Sequence, residues 1–247
     1  MDKQCYSGIF AGTELHFCFR HPDTAAYFGS FLHLNGAIRE RDCICTPESD
    51  LLDWIRDYGM ADDGNTESGM SVYRASDALL PHGRVIMHAA AMLWHEKAIL
   101  FTADSGTGKS TQLRRWMEMY GDEVRIMNGD KPVLRLAGDG RIYVHPSPWK
   151  GKENWGDDTL TAELGGVIYL KQGPENSIRR MDPRTAAPFI LTQFFSMFED
   201  AAGLAKLCRF EEALLSSVPV WMLENKGDKE SAVLTHSALI MEEDNHV

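Results

Sequence analysis

The chain lacks a long apolar run: nothing in its 247 residues approaches the ~20 consecutive apolar positions that a bilayer-spanning helix needs. Its first residues, Met1-Asp2-Lys3-Gln4-Cys5, lack the basic stretch and apolar block of a secretory leader. Positive charge is also scarce. Lys and Arg number 25 against 36 Asp and Glu, a formal net charge of -11, whereas a nucleic-acid partner would favour a basic surface. The 5 cysteines show no metal-ligand or disulfide spacing. Cys43 and Cys45 alternate with Ile44, and Cys5, Cys18 and Cys208 are scattered, which predicts reduced thiols in a cytoplasmic protein. No repeat and no low-complexity tract is visible. These shortages leave a globular protein with no membrane and no nucleic acid among its expected partners. The length suits one large domain, or a main domain with a small one.

What is present begins with period-two alternation. Leu15, Phe17 and Phe19 fall on one face of Gly12–Arg20, which predicts a strand. Asp23 or Thr24 is a candidate cap for a helix over Ala25–His33, and Leu51–Tyr58 predicts a shorter helix. Tyr58–Ser71 is rich in Gly, Asp and Asn and reads as a linker, so residues 1-71 form an N-terminal α+β region and 72-247 the main domain. Further on, Ala98–Thr102 predicts a buried strand. Leu113, Trp116, Met117 and Tyr120 then line one face of a helix over Lys109–Tyr120, with Gly121 as its C-terminal cap. Val124–Met127 and Gly166–Leu170 predict strands, and Val133–Leu136 with Arg141–Val144 a hairpin. Helices are expected at Pro183–Glu199 and Lys229–Glu242, with a strand at Val218–Leu223 between them.

The strongest chemical signal is Ala103-Asp104-Ser105-Gly106-Thr107-Gly108-Lys109-Ser110-Thr111, set between an expected strand and an expected helix. That is the context of a phosphate-binding P-loop. Gly106 and Gly108 let successive amides turn inward as an anion nest, and the following helix adds the positive end of its dipole. Lys109 supplies a point charge for the β- and γ-phosphates, and Ser110 a hydroxyl for Mg²⁺. Ala103 stands where the general pattern has Gly. Such sites also need a metal-holding carboxylate at the end of a neighbouring strand. Asp130 is the best candidate, because Asp122 and Asp139 fall in expected turns.

An ordered series follows: His88-Ala89-Ala90, then Ala103–Thr111, Asn128-Gly129-Asp130-Lys131-Pro132, and Pro148-Trp149-Lys150-Gly151-Lys152. It resembles the C-terminal domain of HPr kinase and its relatives on the phosphoenolpyruvate-carboxykinase-like fold, over roughly residues 81 to 196. The resemblance implies an α/β P-loop fold with a mixed sheet and hairpins. It places His88 near the transferred phosphate and Lys152 at phosphate or substrate. It puts Asp130 on the second member of an Asp-Asp pair whose first member is here Gly129. It is also compatible with a homo-oligomer.

The expected activity is therefore transfer of the γ-phosphoryl group of ATP to a hydroxyl, with Mg²⁺ as cofactor. The hydroxyl would belong to a protein or peptide serine, or to a small molecule. Asp104 through Thr111 hold nucleotide, Ser110 and Asp130 hold metal, and Asp130, His88 and Lys109 act on the reacting groups. Lys150 and Lys152 are candidate anion contacts. Trp149 and Trp155 are candidates to stack a base, although burial is the commoner fate of tryptophan. Two rival readings are a non-catalytic nucleotide-binding module, in which Gly129 marks a lost base, and a carboxykinase-like enzyme acting on a small carboxylic acid.

Overall fold

The computed structural model describes residues 4–197 and 200–244. The expectation for the leader region falls partly on residues 1–3, outside the described residues. The chain is a mixed α/β protein.

A small antiparallel sheet opens it. Strands β1 (Cys5–Phe10) and β2 (Thr13–Cys18) form a hairpin, and β3 (His33–Leu34) adds to β1. Leu15, Phe17 and Phe19 are buried as the alternation predicts, but the strand stops at Cys18, one residue before Phe19, and Cys18 on the opposite face is buried as well. The segment after it is a 3-10 helix, Thr24–Phe31, kinked at Gly29 rather than a continuous α-helix, and Asp23 makes no side-chain cap to it.

Two helices follow, α1 (Glu48–Tyr58) and α2 (Gly64–Leu79). The second corrects the linker expected at Tyr58–Ser71, and the division at residues 71 and 72 falls inside it. Polar residues here are buried and satisfied rather than solvated. Asp63 caps the helix through the Thr66 N–H at 2.9 Å. Glu67, 1% exposed, accepts from the Arg20 and His21 amides and the Thr24 hydroxyl. Ser76 accepts from the Ile86 amide at 3.0 Å. Val72, Ala75 and Leu79 pack with Phe10, Phe17, Phe28 and Trp149 in an aromatic core that joins the small sheet to the rest.

The main sheet has nine strands, β4 (Arg84–Ile86), β5 (Ala89–Trp94), β6 (Lys97–Thr102), β7 (Arg125–Asn128), β8 (Val133–Leu136), β9 (Ile142–His145), β10 (Ala162–Gln172), β11 (Ser177–Arg180) and β12 (Val220–Asn225). Its order is β4-β8-β9-β10-β6-β5-β7, with β12 parallel to β10 and β11 antiparallel to β12. The pairing of β6 with β10 is parallel and that of β5 with both β6 and β7 is antiparallel. The hairpin expected after Asp130 is β8–β9.

Period-two alternation splits the core across the sheet. Ala98 and Leu100 face one side with α4 (Pro183–Leu191) and α5 (Ala201–Ser217), which supply Ile190, Leu207 and Phe210. Ile99 and Phe101 face the other side with α3 (Lys109–Tyr120) and α6 (Lys229–Asp244), which supply Leu113, Trp116, Ala232 and Leu239. The helix expected through Glu199 ends at Leu191, and its last two residues lie outside the described residues. Among the described residues no helix is long and apolar enough to cross a membrane.

Candidate functional site

Sheet order explains why distant residues meet. Strand β5 lies between β6 and β7 and runs against both, with Ala89 opposite Thr102 and Ala91 opposite Asn128. The start of β5 therefore shares one sheet edge with the ends of β6 and β7. His88, the loop after Thr102 and Asp130 all stand at that edge. Hydrogen bonds fix the junction: the Thr102 hydroxyl donates to the His88 carbonyl at 2.8 Å, and the Ala89 amide to the Asp130 carbonyl at 2.9 Å.

The loop Ala103–Gly108 runs from β6 into α3 as expected. Gly106 and Gly108 have φ of 81° and 119°, a region that favours glycine, and Gly108 caps α3 with no side chain. Ala103 is buried and stays out of the left-handed region, so its replacement of Gly carries no backbone strain. Lys109 is 7% exposed and folds back on its own loop, donating to the carbonyls of Ala103 at 2.9 Å and Asp104 at 3.4 Å. Burial lowers its ammonium to about 8, with Asp130 opposing the shift.

Asp130 sits in a turn built by Asn128. The fully buried Asn128 side chain accepts from the amides of Asp130 (3.0 Å) and Lys131 (2.7 Å) and donates to the Ser147 carbonyl at 3.1 Å. The Asp130 carboxylate lies 3.5 Å from His88 Nε2 and pairs with the Lys131 ammonium. Burial pushes this carboxyl up, but the His88 hydrogen bond and the Lys131 charge outweigh it and hold the group at about 2. Asp130 is thus a fixed anion aimed into the site. Gly129 donates its amide to the Trp155 carbonyl at 2.9 Å and is covered by the backbone of residues 150 to 155.

These groups line one cavity of about 990 Å³. It brings together His88, Ser105, Gly106, Gly108, Lys109, Ser110, Asp130, Lys150 and Lys152. Thr107 and Thr111 line a second cavity of about 510 Å³ with Gln172, Gly173 and Asn225–Gly227. Asp104 is exposed and lines neither. Lys150 is paired with Asp158 at 2.8 Å, whereas Lys152 is exposed.

Asn128 and Lys131, inside the Asn128–Pro132 series but given no role there, hold the Asp130 turn and its carboxylate. Phe195 carries no motif, and the Lys131 ammonium lies 5.7 Å from the centre of its ring. Tyr27, Trp54 and, on α2, Tyr73 also line the cavity. Trp149 is a core residue: it packs with Phe10 and Phe28 and donates to the Ser68 carbonyl at 2.9 Å. Trp155 is half-buried under the Arg114 guanidinium at 5.2 Å. Arg115 donates to the Gly227 carbonyl, and Arg180 pairs with Glu242, which accords with structural roles for both.

No family model matches the chain, and no curated protein matches it. Among solved structures it is similar to the HPr(Ser) kinase/phosphatase from Coxiella burnetii. The identity is 13%, the TM-score is 0.39, and the match covers 64% of this chain and 98% of that one. A likeness this distant decides nothing about chemistry, which rests on the residues themselves.

Proposed function

We propose that the chain is an ATP-dependent phosphotransferase that moves the γ-phosphoryl group to an acceptor hydroxyl. The observation that carries this reading is the convergence of the loop amides, Lys109, Ser110, Asp130 and His88 on one cavity. The donor set fits a nucleotide with Mg²⁺. A glycine nest and an ammonium suit a polyphosphate, and a charged carboxylate with a hydroxyl suits a small hard cation that keeps several waters. Mg²⁺ would supply charge neutralisation between the β- and γ-phosphates, held from the protein side by Ser110 and Asp130.

The chain's own groups divide the remaining work. The amides around Gly106 and Gly108 grip the phosphates. Lys109 leaves the Ala103 and Asp104 carbonyls and turns to the γ-phosphate, where charge builds as the bond to the β-bridging oxygen breaks and ADP leaves. The acceptor oxygen forms the new P–O bond and gives up its proton. Asp130, held at about 2, is a poor proton acceptor and a good metal ligand. His88 in its neutral form takes the proton and becomes the imidazolium that pairs with the Asp130 carboxylate at 3.5 Å. The missing carboxylate at residue 129 thus leaves one acid for metal and a neighbouring imidazole for the proton.

The two cavities support a polarity for this reading. The large one receives the acceptor and the γ-phosphate end. The smaller one, past Thr107 and Thr111, receives the nucleoside end.

Incubation with ATP, Mg²⁺ and hydroxyl-bearing acceptors tests this. Labelled acceptor and ADP are expected, and Lys109→Ala or Asp130→Asn lowers the rate ~10²–10³-fold. Saturable ATP binding with no ADP and no labelled acceptor would instead favour the nucleotide-binding module, the reading to which the absent first carboxylate lends weight.

A further inference from the structure

The large cavity takes its charge from one part of the chain and most of its rings from another. Its lysines and carboxylates all lie within residues 109–153. The lining residues between 26 and 73 carry no charge. They include the rings Tyr27, Trp54 and Tyr73 and the small polar side chains Asn65, Thr66 and Ser68.

The rings form a row that ends at the imidazole. Trp54 and Tyr73 are 6.0 Å apart between ring centres, Tyr73 and Phe195 5.0 Å, and Phe195 and His88 6.1 Å. Each contact is edge to face, which holds the row as a fixed surface. All four rings line the cavity and are half-buried. Tyr73 and Phe195 also lean on the aromatic core, which accounts for their packing. Trp54 and Tyr27 belong to no core cluster among the described residues, and Tyr27 is 47% exposed.

The small polar groups are uncommitted. Beyond the ladder of α2 itself, the Thr66 amide donates to Asp63, and the Ser68 carbonyl accepts from the Ser71 hydroxyl and the Trp149 indole. Among the described residues both side-chain hydroxyls are left over. The charged lining groups are mostly engaged: Lys131 pairs with Asp130, Lys150 with Asp158 and Glu153 with Arg114.

This lining discriminates between kinds of acceptor. No residue that lines the cavity lies in a strand, so an extended peptide finds no open sheet edge there. A charged acceptor would find no opposite charge in residues 26–73 to offset its desolvation. Ring faces beside free hydroxyls and an amide suit a neutral ring with C–H faces and several hydroxyls of its own.

Resting on the phosphotransfer reading above, we propose that the acceptor is an uncharged ring polyol, a sugar or cyclitol, seated against Trp54 and Tyr73 with one hydroxyl at His88. That oxygen bonds the γ-phosphorus as the bond to the bridging oxygen of ADP breaks, and its proton passes to His88. The products are ADP and a phosphate monoester of the polyol. Residues 26–73 thereby set the choice of acceptor, and the P-loop binds the donor.

The test gives the full chain ATP and Mg²⁺ with glucose, ribose or myo-inositol in turn, and with glycerate and a serine-bearing peptide as the charged and extended alternatives. At least one neutral polyol should raise ADP release and take the label, more than about tenfold above either alternative. Trp54→Ala should raise the KM for that polyol more than about tenfold, and Thr66→Val should raise it by a smaller factor, with the KM for ATP unchanged in both. Leu52→Ala, exposed on α1 and outside the cavity, should change neither. If Trp54→Ala does not fold, Thr66→Val, which keeps the side-chain shape, carries the comparison. A second readout needs no turnover. With a non-hydrolysable ATP analogue bound, the polyol should change tryptophan fluorescence saturably, and Trp54→Phe should remove most of that change. Phosphorylation of glycerate or the peptide but of no polyol would overturn the acceptor class and leave the phosphotransfer reading standing. ADP from no acceptor would overturn the phosphotransfer reading, and with no fluorescence change the polyol site as well.

Discussion

A β-carbon added to Gly129 would stand 2.6 Å from the carbonyl oxygen of Lys150. Main-chain atoms of Lys150 and Trp155 close over residue 129, and Gly151 in turn rests on the Asp130 side chain. The absent first carboxylate is therefore part of how the Pro148–Lys152 segment seats itself beside Asp130.

It follows that Gly129→Asp does not restore a working acid pair. Such overpacking should cost ~1–3 kcal/mol in urea unfolding. The displaced 150–155 segment should also weaken ATP binding. A Gly129→Asp variant with wild-type stability and faster phosphotransfer would contradict this.

Asp130 makes stability depend on acid pH. Its carboxyl drops from 3.8 to about 2 on folding, so its contribution is complete above about pH 4 and is lost as pH falls through 2. The size is roughly 2 kcal/mol. Urea titrations at pH 5 and pH 2 should show a fall in stability that is smaller by about that amount in Asp130→Asn.

Lys109 behaves oppositely in binding and in folding. Its ammonium, lowered to about 8 by burial, is favoured again by bound phosphates. ATP binding should take up a proton above about pH 8, and affinity should fall as pH rises further. Calorimetry in buffers of different ionisation enthalpy measures the uptake. Lys109→Met removes a buried charge, so it should abolish ATP binding without loss of stability at pH 7.

Trp149 links the site to the N-terminal region through its bond to the Ser68 carbonyl. Trp149→Phe keeps most of the aromatic packing and strands that carbonyl. The expected cost is ~1–3 kcal/mol, with ATP affinity nearly unchanged. A large change in ATP affinity at full stability would mean that Trp149 contacts nucleotide.

The parts legible in the sequence were those set by local pattern. Helix α3 spans Lys109–Tyr120 as its periodicity predicts, and the loop before it announces its own conformation through Gly106 and Gly108. Helix α2 was hidden because Thr66, Glu67, Ser68, Ser71 and Ser76 are buried, and their partners, such as Arg20 and Ile86, lie far away in sequence. Helix α5 lay beyond the helix expected to end at Glu199 and was not foreseen. In the site, Asp130 follows from its place after a strand. The roles of Asn128 and Lys131 depend on a turn closed by Ser147, and no spacing rule reveals that.

The most direct measurement is isothermal titration of ATP with Mg²⁺ into wild-type chain and Lys109→Ala. Saturable binding at one nucleotide per chain, lost in the variant, is the predicted result. No heat of binding in the wild type, or equal binding in both, would contradict it.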